Sequence, residues 1–280
     1  MIKSKSIINI LLGMEKFILR QADTISSISY NMMMKMQVKC DKKVIFFPNW
    51  VDVEQFFPVE NKDGLKTLFG FAENDTVILY SGSIGQKQGL EQILHAGKHF
   101  QFKPSIKFVI CGDGPYKTNL QKLSADLKLN NVYFLPLQPL ECFNNFLNMA
   151  DFHLVLQKAN AGDLVLPSKL TTVLAIGGVS LVSASPGTSL FDIINNNKVG
   201  YIIKPEDQQS FNLVLEEAIG SDNNTITYNA REYANNFLSI NSILNTYANN
   251  ALNSVPVRNV YSSQNKVYEN SSTLKKFETM

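Results

Sequence analysis

Cysteine is scarce in this 280-residue chain: Cys40, Cys111 and Cys142 lie far apart and share no paired spacing. A disulfide framework or a Cys-x-x-Cys metal site has nothing to build on. Cys111 closes an apolar run, where a buried reduced thiol fits, and this favours a reducing compartment. Histidine is equally sparse. His95 and His99 share a helix face, but no third ligand stands at metal spacing, so no metal site is expected. His153 sits in an apolar strand and reads as a satisfied core histidine. An excess of one charge is also missing. Lys and Arg number 26 against 24 Asp and Glu, a net +2, which provides no field for nucleic acid. Long apolar runs are absent. The stretch Ile7–Leu12 follows Lys3 and Lys5, but Glu15, Lys16 and Arg20 interrupt it and no small-residue cleavage site follows. It is too short to span a bilayer and is not a signal peptide. No Gly-Lys-Ser/Thr P-loop, no third glycine of a dinucleotide fingerprint, no Gly-x-Ser-x-Gly elbow and no Ser/His/Asp order is present. NTPase, oxidoreductase and serine-hydrolase chemistries lose their signatures with them.

What the chain does have is a regular alternation. Short β-branched or aromatic runs occur at Val44–Phe47, Thr76–Ser81, Ile106–Cys111, Val132–Leu135, Phe152–Leu156, Val179–Ser183 and Val199–Ile203. Helical patterns separate most of them, as at Leu90–Lys98, Tyr116–Leu127, Leu140–Met149 and Lys169–Ile176. Strands apolar on both faces, alternating with helices, predict an α/β fold with a doubly wound parallel sheet over 51–215. Helices follow over 216–252, the second of them at about 227–252. Residues 253–280 are rich in Ser, Asn and Lys and read as a disordered tail. Residues 1–50 hold two helices and one strand, too little for a domain. The first helix, at 6–20, gathers Ile7, Ile10, Leu11, Met14, Phe17 and Ile18 on one stripe, which needs a partner. The protein's own core is the simpler partner and a membrane surface the alternative.

Four strand-to-helix loops are candidates for chemistry. The first, Ser81–Gly89, offers Gly82, Gly85 and Lys87: glycines let a ligand approach the backbone, and the lysine can meet a phosphate. The alternative is a tight turn with a solvated lysine. The second, Cys111–Pro115, contains Gly112 and Gly114 and is otherwise a plain turn with Pro115 at a helix start. The third, Asp163–Leu170, sets Ser168 as an N-cap and Lys169 as a diphosphate clamp, or else as a surface lysine. The fourth, Ala184–Thr188, gives Gly187 and a Thr188 hydroxyl that can cap a helix or meet a ligand. In a parallel sheet all four open on one edge, where ligands of such folds bind.

In order along the chain, Phe47-Pro48-Asn49-Trp50-Val51-Asp52, Ser-Gly-Ser-Ile-Gly, Cys-Gly-Asp-Gly-Pro, Val132–Pro136 and Asp-Leu-Val-Leu-Pro-Ser-Lys-Leu resemble family 4 glycosyltransferases of the GT-B type. Ala175–Gly178 and Ser185–Thr188 extend the likeness, which is greatest to the colanic acid biosynthesis branch, regarded as fucosyltransferases. The resemblance implies a retaining, metal-free enzyme. It would transfer a sugar from a nucleotide sugar, GDP-fucose or a UDP-sugar, to a glycan or lipid-linked acceptor in exopolysaccharide or O-antigen assembly. It places the base near Leu135 and Pro136 and the diphosphate near Gly85, Lys87, Ser168 and Lys169. The sugar would face Ser185–Thr188. It implies a cytoplasmic protein, peripheral to the inner face of the membrane. The sequence departs from the family pattern. The usual arginine and lysine of the first loop are replaced by Ser83 and Gln88. The usual pair of glutamates spaced eight apart is replaced by Leu164 and Thr172, with Asp163 one position from the first. No catalytic group is assigned. About half of a GT-B enzyme, the acceptor domain, is expected ahead of residue 10, so the helix at 6–20 reads as its last element. A split or non-catalytic module completed by a partner domain is the alternative.

Overall fold

In the computed structural model the described residues are 4–62, 64–159 and 167–252. They form two compact units. The smaller comprises the described residues up to Pro48 and from Asn241 on; the larger is Asn49–Ile240. The expected tail at 253–280 lies outside the described residues.

The smaller unit opens with α1 (Lys5–Gln21), β1 (Ile25–Ser27), α2 (Tyr30–Gln37) and β2 (Val44–Phe46). Two strands stand where one was expected, paired in parallel with Ile25 opposite Val44. The Ile-Ser-Ser strand is too short and too polar to announce itself. Leu19, Ile25, Met33 and Val44 make a small core. In α1 only Leu19 is buried, whereas Ile10, Phe17 and Ile18 are each more than 60% exposed.

The larger unit runs α3 (Leu65–Leu68), β3 (Thr76–Ser81), α4 (Glu91–His99), β4 (Ile106–Cys111), α5 (Lys117–Asp126), β5 (Val132–Leu135) and α6 (Leu140–Asn148). It continues with β6 (Phe152–Val155), α7 (Ser168–Ala175), β7 (Val179–Ser183), α8 (Ser189–Asn197), β8 (Gly200–Ile203), α9 (Gln208–Gly220) and α10 (Asn224–Tyr233). The six strands form one parallel sheet in the order β5-β4-β3-β6-β7-β8. The order reverses between β3 and β6, and there the topology opens a crevice at the carboxyl ends of the strands. Side chains alternate across the sheet as the strand period demands. Ile78 and Tyr80 of β3 join the core under α4 and α9, while Val77 and Leu79 join the core under α6.

Two expectations need correction. The helix expected over 227–252 is two: α10 passes through a π-helical turn, Ala234–Leu238, Ser239 is extended, and α11 (Ile240–Leu252) begins anew. The break has a long-range cause. Val51 donates to Leu238 O (2.8 Å) and accepts from Ile240 N (3.1 Å), which pulls Ser239 into a parallel bridge with Val51. Position 215 lies inside α9, and α10 packs on α7 within the same unit.

Arg231 on α10 ties the linker down, donating to Val53 O (3.1 Å), Phe56 O (2.9 Å) and Ala175 O (2.5 Å). Arg231→Met leaves these carbonyls without that donor and should lower stability by roughly 2–3 kcal/mol, read as an earlier midpoint in urea with an unchanged slope.

Candidate donor site

The loops after β3 and β4 form one block. Gly82 N donates to Cys111 O (3.0 Å), Ile84 N to Asp113 O (2.8 Å), and Tyr116 N to Ile84 O (3.2 Å). The fit explains two glycines. A Cβ on Gly112 would lie 2.0 Å from Gly82 O, and one on Gly114 2.3 Å from Ile84 O. Both have positive φ, 149° and 154°. The side faces of Gly112 and Gly114 are thus taken up by the first loop. Lys117 Nζ occupies Gly112 O at 2.9 Å.

In the first loop, Gly85 leads into a single 3-10 turn, Gln86–Gln88, closed by Gly89 at φ 65°. Lys87 is exposed, and its carbonyl accepts from Lys158 N at 3.0 Å. That bond joins the loops after β3 and β6 across the switch point. Glu206, in the turn before α9, accepts from Ala159 N (3.2 Å). Sequence reasoning missed both Lys158 and Glu206, since neither belongs to a glycine loop.

Leu135 ends β5 half-buried, and exposed Pro136 follows. Pro136 O accepts from Cys111 Sγ (3.1 Å) and from Gln138 Nε2 (2.9 Å). On the other side of the switch point, Thr188 caps α8: its hydroxyl accepts from Phe191 N (3.2 Å) and donates to Ser185 O (2.8 Å). Gly187 has φ 83° and open space where a Cβ would be.

At α7 the structure corrects one expectation. Pro167 holds the N-cap position, Ser168 is the first helical residue, and no side chain caps the helix. The Ser168 hydroxyl is therefore not used as a cap. Thr172 lies one turn further along α7, half-buried. Asp163 and Leu164 lie outside the described residues.

Lys169 is the unusual group. Its Nζ is buried and has no hydrogen-bond partner among the described residues. It lies 3.2 Å from where a Gly82 Cβ would stand and 3.7 Å from the centroid of the Tyr80 ring. Burial pushes its pKa down to about 7. A buried cation without a counter-charge is costly, which makes this lysine a candidate anion-binding group. Tyr80, fully buried, was not singled out from sequence; a tyrosine in an apolar strand reads as core.

His153 is buried as expected, but its Nε2 has no partner among the described residues, and burial, then nearby Lys62, lowers its pKa to about 3. It stays neutral. A cavity of about 320 Å³, lined by Lys62, Asp151, Gly178 and Thr227 among others, lies at the opposite, amino-terminal end of the strands. Asp151 there is engaged by Lys66 (2.9 Å) and Val77 N (2.7 Å). It is not where a doubly wound sheet binds its ligand. Among the described residues no cluster of His, Cys, Asp or Glu has metal-binding geometry. No described helix is long and apolar enough to cross a membrane.

The profile of the family described as "Glycosyl transferases group 1" matches residues 63–234. The chain belongs to that family. It is 35% identical over 253 residues to the putative colanic acid biosynthesis glycosyl transferase WcaI of Escherichia coli, across 88% of this chain and 61% of WcaI. It is 25% identical over 203 residues to the probable glycosyltransferase WbjE of Pseudomonas aeruginosa, across 72% of this chain and 50% of WbjE. The chain thus spans a half to about three fifths of the length of these two relatives. Among solved structures, it matches the C-terminal domain of the group 1 protein LpcC from Francisella tularensis at TM-score 0.55 and 19% identity, over 68% of this chain and 99% of that domain. It matches Anabaena HepE in complex with UDP at TM-score 0.72 and 16% identity, over 85% of this chain and 65% of HepE. The six-stranded sheet is the Rossmann-like C-terminal fold of the GT-B group 1 enzymes.

Proposed function

We propose that the chain carries the donor site of a retaining glycosyltransferase. In this reading a nucleoside diphosphate sugar lies across the carboxyl edge of the sheet, with its diphosphate on Lys169. The observation that carries it is the buried Lys169 Nζ, without a hydrogen-bond partner among the described residues, beside Gly82 at the switch point. A cation held there neutralises charge on the departing diphosphate as the glycosidic bond breaks. Lys87 and the amides of the first loop and of Ser168 add to it. Leu135 and Pro136 border the base, Asp163 and Thr172 are assigned by the family pattern to the ribose and sugar contacts, and Gly187 and Thr188 face the sugar. The acceptor is a glycan or lipid-linked sugar in exopolysaccharide or O-antigen assembly at the cytoplasmic face of the membrane. WcaI, described as a colanic acid enzyme, supports this. GDP-fucose and UDP-sugars both remain as donors: HepE binds UDP, and a related corynebacterial mannosyltransferase is GDP-mannose-dependent.

Calorimetric titration with UDP, GDP and their sugars tests the proposal; absence of heat with all of them overturns it. The pH dependence has a definite sign. With a free Lys169 pKa of about 7, both free and bound chain are protonated below that pH and affinity is flat. Above it the complex must take up a proton, so affinity falls by up to about tenfold per pH unit. A flat profile from pH 6 to 9 would separate Lys169 from the diphosphate.

A second reading is favoured by α1, whose Ile10, Phe17 and Ile18 are exposed. Here the chain is a donor-binding module completed by a partner acceptor domain. Mixing the chain with the separately expressed N-terminal half of WcaI should give a complex by size-exclusion chromatography; two unshifted peaks would argue against it.

A further inference from the structure

We propose that Tyr80 is a positioning residue for the donor site: its ring holds the Lys169 ammonium beside Gly82. The inference rests on the diphosphate reading of the site and adds a residue and a device to it.

Tyr80 occupies the penultimate position of β3, on the same face as Ile78, and is completely buried. Packing alone would be served by phenylalanine. The phenol oxygen instead donates to Ser83 O at 2.6 Å. This ties the strand end to the Gly82–Ser83 turn. The other face of the residue is used as well. Lys169 Nζ stands 3.7 Å from the ring centroid, well inside the range in which an aromatic face attracts a cation. This is the stabilising contact that the ammonium has among the described residues, since it makes no hydrogen bond and no ion pair.

Among the described residues, Lys169 faces groups from β3 and from the first loop. From β3 comes Tyr80, whose phenol is raised in pKa by burial and stays neutral. From the first loop comes the Gly82 backbone. Burial lowers the pKa of the Lys169 amine and so acts against the charge. An aliphatic residue in place of the ring would leave the amine against hydrocarbon. It would then shed its proton or swing out of the crevice. Either way an incoming diphosphate would meet less positive charge, and ordering the lysine would oppose binding. The ring favours the charged form and aims it before the ligand arrives, and among the described residues no carboxylate pairs with it that the diphosphate would have to displace.

The test is a double-mutant cycle on the full chain, read by calorimetry with UDP and GDP at pH 7. Tyr80→Leu should weaken binding about tenfold, and Tyr80→Phe, which keeps the ring, should stay within about twofold. In a Lys169→Met background Tyr80→Leu should cost nothing further. Tyr80→Met stands in if the leucine variant does not fold, with melting curves recorded for each. A loss of the same size in the Lys169→Met background would make Tyr80 a purely structural residue and overturn the inference. So would a phenylalanine variant as weak as leucine, which would assign the effect to the hydroxyl tether. A wild-type chain that binds neither nucleotide would instead take down the site reading itself. A second readout needs no ligand. The Lys169 amine, followed by NMR after ¹³C-methylation, should titrate at lower pH in Tyr80→Leu than in wild type or Tyr80→Phe. Unchanged titration in all three removes the coupling.

Discussion

Lys169→Met should weaken UDP or GDP binding by about a hundredfold and, in the unliganded chain, raise the melting temperature. The two effects share one cause. A charged donor to a phosphate oxygen contributes roughly 1.5–3 kcal/mol, and the lysine also supplies a monopole where the diphosphate charge is concentrated. Methionine keeps the unbranched stem and drops the ammonium, which is buried without a hydrogen-bond partner among the described residues. Replacing a buried charge by an apolar group of similar volume is neutral or stabilising. A gain in stability with a loss of binding is the pattern of a residue kept for function. Calorimetry and thermal melts at pH 7 check both. A variant that binds as wild type would remove Lys169 from the site. One that binds poorly and also melts earlier would show a lysine needed for packing.

Gly112→Ala should be the most destabilising single change at the carboxyl edge, at roughly 3–5 kcal/mol. The new methyl would meet Gly82 O at 2.0 Å, and that atom is backbone, not the end of a flexible side chain. The φ of 149° adds strain for any side chain. Gly114→Ala meets Ile84 O at 2.3 Å and should behave alike. Gly187→Ala is the control: its φ is also positive, at 83°, but the space around it is open. It should cost only about 1 kcal/mol. Urea midpoints rank the three. Nucleotide affinity should fall with the first two, because the displaced loop is the one beside Lys169. Equal midpoints for Gly112→Ala and Gly187→Ala would show that the two loops do not interlock.

Much of this architecture was legible because the inner strands of the sheet are buried on both faces. Thr76–Ser81, Ile106–Cys111, Val132–Leu135 and Val179–Ser183 stand out as apolar runs, and their boundaries match. The break at Ser239 was not legible, since its cause is Val51, distant in sequence. The site was half legible for the same reason. Lys169 can be picked out from Pro-Ser-Lys at a helix start. That it is buried, and that Tyr80 lies under it, depends on β3 and α7 meeting at the switch point. Gly112 and Gly114 invite a ligand when read alone; the partners that require them to be glycine are Gly82 and Ile84. Ser168 follows a proline that holds the cap position, so a motif suited to capping does not cap.

The Val51–Ser239 bridge has a consequence for how the gene can be cut. The larger unit begins at Asn49 and ends at Ile240, and its first and last backbone segments are hydrogen-bonded side by side. Its ends therefore adjoin. Residues 49–240 can be excised as a closed module, or joined end to end by a short linker and reopened at an exposed turn such as the one at Lys103–Pro104. Neither operation touches Tyr80, Lys169 or the interlocked glycine loops.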